Sequence, residues 1–381
     1  MTKVTPQKTT YLARLSQVEG IPDADRAALE RVADRYAFRA NTYYLGLIDW
    51  SDPEDPIRRI IIPGPEELEM WGRLDASNEH SYTKVAGLEH KYEYTGLLLV
   101  NDLCGGYCRF CFRKRLFMEG NDEVQRDVGP GIEYIRSHPE INNVLLTGGD
   151  ALLLSTKRLD DILSELRTID HVKIIRLGSK MPAFNPSRIT GDPALLQMLA
   201  RHSHDDRKVY VMTHFNHPRE LTTEAESALS LLQKAGVVTA NQTPLLRGVN
   251  DDPDVLGDLF NRLSYAGTPP YYVFIGRPTR GNRHFAVPIE EAFETFEQAR
   301  MKCSGLAMRA RLVMSHATGK IEVVGRTETQ TFFRYHRSAD PTQKAKFMVF
   351  ASNPDAYWFD DYTGMSEHYV PLNPFCAFVP N

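Results

Sequence analysis

"GLLLVNDLCGGYCRFCFRKR", residues 96–115, joins a run of apolar side chains to a loop that carries three cysteines. Leu97, Leu98, Leu99 and Val100 are continuously apolar rather than alternating, as in a strand buried on both faces of a sheet. Asn101 and Asp102 end the run, and Cys104, Cys108 and Cys111 follow in C-x3-C-x2-C spacing. The same unit recurs outward from this stretch. Apolar runs in "NNVLLTGGD" (142–150), "VKIIRLGS" (172–179), "KVYVMTHF" (208–215), "GVVTANQ" (236–242) and "PPYYVFIG" (269–276) are each followed by a helix-length amphipathic segment, and "RARLVMS" (309–315) closes the series.

Apolar strands alternating with helices predict an α/β fold with a parallel sheet, and repetition of one unit favours a closed or partial barrel over a doubly wound sheet. Polar or glycine residues end each run: Asp102 and Cys104, then 147–150, Gly178 and Ser179, Thr213 and His214, Asn241 and Gln242, Gly276 and Arg277. In parallel α/β folds these strand ends face the ligand, so one polar mouth is expected. Residues 1–92 read as a helical extension, in which Leu29, Val32 and Tyr36 recur at helical spacing after the cap candidate Asp23. Residues 93–325 form the barrel. Residues 326–381 are an aromatic-rich tail ending in "VPLNPFCAFVPN", whose composition fits a lid, a dimer arm or plain packing.

The 381 residues are 42% hydrophobic and 25% charged, with a net charge of -4, which leaves no electrostatic footprint for nucleic acid or anionic lipid. Neither a secretory leader nor a membrane span is legible, so a cytoplasmic enzyme acting on a small molecule is expected. Five cysteines is an odd count. A four-ligand zinc site built on the clustered three would have to borrow Cys303, Cys376 or His316. Three thiolates on one loop can instead hold three irons of a cubane and leave the fourth iron for an exogenous ligand.

This spacing, with Phe110 just before the last cysteine, resembles the signature of radical S-adenosylmethionine enzymes. The resemblance implies a [4Fe-4S] cluster on Cys104, Cys108 and Cys111, with S-adenosylmethionine completing it and yielding a 5′-deoxyadenosyl radical. Gly148, Gly149 and Asp150 in "TGGDALLL" resemble the motif that contacts the methionyl amino group. More closely, "YYLGLID", "DLCGGYCRFCFRKR", "LLTGGDALLL", "THFNHPRELT" and "NQTPLLRGVND" recur in order in lysine 2,3-aminomutase and its relatives, over roughly residues 10–325.

That family resemblance implies an incomplete (β/α)6 barrel, S-adenosylmethionine contacts at Ser179, His214 and Gln242, and a substrate-carboxylate grip by Arg113. It also implies pyridoxal 5′-phosphate, held as an imine by Lys320 in "MSHATGKIEV". A flavodoxin or ferredoxin as electron donor and a homo-oligomer are further expectations. Four departures shape the reading. Two family arginines associated with the cofactor phosphate correspond to Lys91 and Thr95, so one guanidinium is lost, and His90, Arg247 and His316 are the candidates to replace it. Two aspartates that bind the distal ammonium of lysine correspond to Arg277 and Val313, which disfavours free lysine. Arg277 suits a second substrate carboxylate or a structural ion pair. The zinc cysteines are missing, with Asp252 at one of their positions, so no zinc is expected. No family motif is legible in the tail from Phe332 onward. Two activities fit: a pyridoxal-phosphate-dependent aminomutase on a non-lysine amino acid, or a pyridoxal-independent radical enzyme that dehydrogenates, eliminates, epimerises or cleaves.

Overall fold

The computed structural model describes residues 9–371. A two-residue ribbon of β1 (Tyr11–Leu12) and β2 (Ala40–Asn41) brackets helix α1 (Asp23–Arg35). Pro22, not Asp23, stands at the N-cap of α1, and Asp23 pairs with Arg26 at 3.0 Å instead. A proline there has φ fixed in advance. Leu29 and Val32 are buried as their spacing implies. The short helices α2 (Thr42–Leu45) and α3 (Pro56–Ile61) follow; the Asp55 side chain caps α3 by accepting from the Arg58 amide.

Thirteen strands then form one sheet in strict chain order. Seven of them are parallel: β5 (Thr95–Asn101), β6 (Asn143–Gly148), β7 (Ile174–Ser179), β8 (Val209–Thr213), β9 (Val238–Pro244), β10 (Pro270–Phe274) and β11 (Arg311–His316). These are the seven apolar runs of the sequence. The hairpin of β3 (Thr83–Val85) and β4 (Leu88–Tyr92) precedes them and pairs antiparallel with β5. Six helix-bearing connections separate the parallel strands: α4 (Gly129–Arg136), α5 (Thr156–Arg167), a series of α6 (Met181–Phe184), α7 (Ser187–Thr190) and α8 (Pro193–His202), then α9 (Thr223–Lys234), α10 (Pro253–Tyr265) and α11 (Ile289–Met301).

Sequence explains these helices locally. Ser155, Thr222 and Asp252 cap α5, α9 and α10 through their side-chain oxygens. On α5, Leu159, Ile162, Leu163 and Leu166 fall at i, i+3, i+4 and i+7 and are all buried against the sheet. Each such side chain contributes roughly 1.5–3 kcal/mol by leaving water.

Beyond β11 the chain continues antiparallel, with β12 (Gly319–Arg326), β13 (Gln330–Ser338), β14 (Phe347–Ala351) and β15 (Glu367–Tyr369). The break in rhythm near Gln330 is therefore a change from helical crossovers to hairpins. Phe333, Phe350 and Tyr362 pack edge to face, and Tyr362 also donates to the buried Glu290 at 3.1 Å. Cys376 and the last residues of the tail lie outside the described residues. The sheet curls so that its two flanks meet. Tyr82 Oη donates to Ala317 O at 2.7 Å, Lys91 Nζ to His316 O at 2.5 Å, and Arg337 Nη2 to Thr95 Oγ1 at 2.8 Å.

Candidate active site

The parallel strands deliver their C-terminal residues to one cavity of about 330 Å³, lined by the three loop cysteines, Gly148, Gly149, Asp150, Ser179, His214, Gln242, Lys91, Arg113, Arg277 and Lys320. Its first wall is the cysteine loop. The N-terminal extension cradles this loop: Arg39 Nε donates to Cys104 O at 2.8 Å, Asn41 Nδ2 to Gly105 O at 2.9 Å, and the Tyr107 amide to Arg39 O at 2.8 Å. Arg109, between the second and third cysteines, is buried and forms a two-pronged ion pair with Glu67 at 2.8 and 2.9 Å. Cys104, Cys108 and Cys111 each reach the cavity, and burial of their other sides pushes all three thiols up, Cys108 to about 12. Among the described residues no three His, Cys, Asp or Glu side chains converge on one metal ion. Thiols spaced in this way fit a cluster that assigns each a separate iron. Cys303 is remote, donating to Ala299 O at 3.2 Å where α10 meets α11.

The glycine pair at the end of β6 closes tightly on this loop. Gly148 has φ +103°, and a Cβ there would lie 2.5 Å from Asn101 O; one on Gly149 would lie 2.3 Å from Leu103 O. That proximity lets the Asp150 amide donate to Leu103 O at 2.8 Å. The Asp150 carboxylate accepts from the Leu152, Lys180 and Met181 amides, yet burial raises its pKa to about 6. Ser179 accepts from the Met181 amide at 3.0 Å and lines the wall, as does Gln242 on β9. His214 Nε2 is buried without a hydrogen-bond partner, and burial with nearby Lys180 lowers its pKa to about 3. A neutral imidazole with an unpaired nitrogen fits a hydrogen bond to a bound cosubstrate.

Arg113 is buried and fixed by Glu79, with Nη2 donating to Oε1 at 2.8 Å and Nε to Oε2 at 3.1 Å; its Nη1 donates to Thr147 Oγ1 at 3.1 Å. Glu79 also accepts from Arg115 at 2.8 Å and lies 3.9 Å from Arg277. Burial works against the Glu79 carboxylate, but Arg113 and Arg277 outweigh it and hold its pKa down. Glu89 is pushed the other way, by burial and then by Glu79. Arg277 packs 3.5 Å over the Phe112 ring and leaves its Nη1 without a hydrogen-bond partner. Val313, by contrast, is buried within β11.

At the far wall stands Lys320, at the start of β12 and 4.0 Å over the Tyr272 ring. Among the described residues its amine has neither a carboxylate nor a hydrogen-bond partner. Burial, then Arg337, Arg176, Arg277 and Lys91, lower its pKa far below that of a free lysine. A buried amine of lowered pKa in a cavity rich in cations fits an aldehyde cofactor that carries a phosphate. The candidates for the lost guanidinium are otherwise engaged. His90 bonds Tyr134 at 3.1 Å, Arg247 pairs with Glu291, and His316 lies between Thr318 and Asp360. None of the three lines the cavity; Arg176 and Arg337 do.

No family model matches the chain. A protein of Aquifex aeolicus named "Putative L-lysine 2,3-aminomutase" is 58% identical over 364 residues, 95% of this chain and 97% of that protein. The chain belongs to the lysine 2,3-aminomutase family. The L-lysine 2,3-aminomutase of Clostridium subterminale is 41% identical, over 69% of this chain and 62% of its own, and the glutamate 2,3-aminomutase of Clostridioides difficile is 35% identical, over 79% and 70%. Membership makes the protein a radical S-adenosylmethionine enzyme of aminomutase type, an isomerase working on a small molecule. No helix among the described residues is long and apolar enough to cross a membrane.

Five charged cavity residues escaped the sequence reading of this family member: Glu79, Glu89, Arg176, Lys180 and Arg337. Glu79 and Glu89 lie in a stretch read as helical preface, and Arg337 in the tail read as unlike the family, which the match to the Aquifex aeolicus protein does cover. Arg176 stood in plain view in "VKIIRLGS", as the one charge interrupting an apolar strand.

Proposed function

We propose that this chain is a pyridoxal-phosphate-dependent radical aminomutase that moves an amino group between adjacent carbons of an amino acid bearing a second carboxylate. The observation that carries the reading is Lys320, a buried amine without a partner among the described residues, in the same cavity as Cys104, Cys108 and Cys111. The curled sheet is read as the partial barrel of radical S-adenosylmethionine enzymes.

When bound, the cluster and S-adenosylmethionine supply a carbon radical that takes hydrogen from the substrate, and pyridoxal phosphate supplies the aldehyde that carries the nitrogen. The chain's own residues prepare that chemistry. Cys104, Cys108 and Cys111 hold the cluster, the Gly148–Gly149 backbone and His214 hold the cosubstrate, and Lys320 anchors the aldehyde cofactor as an amine ready to attack. Arg113 orients the substrate α-carboxylate with a planar guanidinium. Arg277, with a buried N–H unsatisfied, selects a distal carboxylate where a distal ammonium would be repelled. A low-potential flavodoxin or ferredoxin is the electron donor this chemistry requires.

Anaerobic reconstitution with iron, sulfide and pyridoxal phosphate, followed by borohydride reduction and peptide mapping, tests the reading. A phosphopyridoxyl group on Lys320 is expected. Its absence from protein with a full cluster sinks the aminomutase mechanism in favour of pyridoxal-independent radical chemistry. Turnover of free lysine but not of glutamate or aspartate would refute the substrate class.

A further inference from the structure

Arg337 on β13 stands directly across from Lys320 on β12. Residues opposed in an antiparallel pair share one face with Cβ atoms about 5 Å apart, so Arg337 lies beside any group attached at Lys320. A guanidinium placed there without a carboxylate calls for an anion. Among the described residues Arg337 has no carboxylate partner; its Nη2 donates to Thr95 Oγ1 at 2.8 Å and its guanidinium lies 4.1 Å over the Tyr92 ring. Arg176 enters from β7 with one hydrogen bond, to Asn143 Oδ1 at 2.8 Å, and likewise lacks a carboxylate. Lys91 gives its ammonium to a backbone oxygen, His316 O. The cavity carboxylates Glu79 and Glu89 pair at the Arg113 and Arg277 end, so among the described residues no carboxylate forms an ion pair with this cluster.

Thr95 is also where the family resemblance leaves an arginine missing. The guanidinium now bonded to the Thr95 hydroxyl comes from a residue 242 positions later in the chain. We infer that Arg337, oriented by Thr95 and flanked by Arg176 and Lys91, binds the phosphate of the cofactor attached at Lys320, replacing from β13 the guanidinium that β5 lacks. This rests on the pyridoxal phosphate reading above. With one N–H on Thr95, Arg337 keeps others for phosphate oxygens, and a dianion offsets the charge of Arg337 and its cationic neighbours.

The test compares pyridoxal phosphate with pyridoxal, which lacks the phosphate, by titrating reconstituted protein and measuring borohydride-fixed label on Lys320 by mass. Wild type is expected to prefer the phosphorylated form strongly. Arg337→Gln should lose at least about tenfold of that preference, the value of one charge-assisted hydrogen bond, read as the ratio of the two labels because Arg337 also acts on the Lys320 amine that both aldehydes need. The exchange Thr95→Arg with Arg337→Thr should restore it. A wild-type preference in Arg337→Gln overturns the assignment and leaves the pyridoxal phosphate reading standing. Wild type that accepts neither aldehyde refutes that reading itself, and the assignment with it. Pyridoxal labelling doubles as a check on folding; if Arg337→Gln fails it, Arg337→Lys, which keeps the charge but not the fork, decides by the same ratio.

Discussion

The Arg113 guanidinium is already gripped by Glu79, through bonds of 2.8 and 3.1 Å, while Thr147 accepts its third N–H group at 3.1 Å. This fixes the fork before any substrate arrives, so little side-chain entropy is lost on binding. Lysine at this position keeps a charge but cannot serve Glu79, Thr147 and a carboxylate together. Arg113→Lys is expected to raise KM about tenfold or more, the value of a lost charge-assisted bond, with S-adenosylmethionine affinity unchanged. Steady-state kinetics alongside equilibrium binding of the cosubstrate check this. An unaltered KM removes Arg113 from substrate recognition.

Glu89 shares the site with opposite consequences. It lies 3.7 Å from Arg113, yet burial and then Glu79 raise its pKa to about 8. The native state therefore keeps a proton that the unfolded chain releases in the ordinary carboxylate range. Between that range and about pH 8 the native state binds more protons, so Glu89 makes stability fall as pH rises. Glu89→Gln should flatten that decline and give the higher urea midpoint at the alkaline end, with the two proteins converging near about pH 5. Parallel slopes across the range would show that Glu89 titrates normally.

The parallel core was legible because most of its strands carry a short apolar run, as Leu97 to Val100 and Leu145 to Leu146 illustrate. The flanking hairpins were not, and the reason is chemical. On β4 and β13 the inward positions are Glu89, Lys91 and Arg337, so the cavity face reads as polar and the alternation that marks a strand disappears. The same residues complete the site. Its cysteines, glycines and His214 sit at strand ends, where sequence signals survive. Its charges are paired across distances that no local pattern encodes, as when Arg337 meets Thr95.

His214 offers a test of the cosubstrate wall. Its Nε2 is buried without a partner, and its low pKa, near 3, keeps the ring neutral. One hydrogen bond from a neutral ring contributes about 0.5–1.5 kcal/mol. His214→Phe preserves the edge contact with Phe110, whose ring centroid is 5.8 Å away, and should weaken S-adenosylmethionine binding up to about tenfold without altering the iron content. Undiminished binding would place the cosubstrate elsewhere in the cavity.

The last prediction concerns what holds the cysteine loop in shape. Arg109 neutralises the fully buried Glu67, and its Nη1 also donates to Ala37 O at 3.0 Å, so the loop is tied to the N-terminal extension. Burial opposes the Glu67 carboxylate, and Arg109 and Lys114 together more than offset it. Arg109→Met leaves that carboxylate with Lys114 alone, at 3.5 Å. Breaking a buried pair on one side costs about 3–5 kcal/mol, because the remaining charge stays out of water. The Glu67→Gln/Arg109→Met double variant removes both charges and should recover much of the loss, a coupling that a double-mutant cycle measures directly. Iron bound per chain should follow stability, falling in the single variant and returning in the double one. Additive losses in the cycle would show that the two residues stabilise the loop independently.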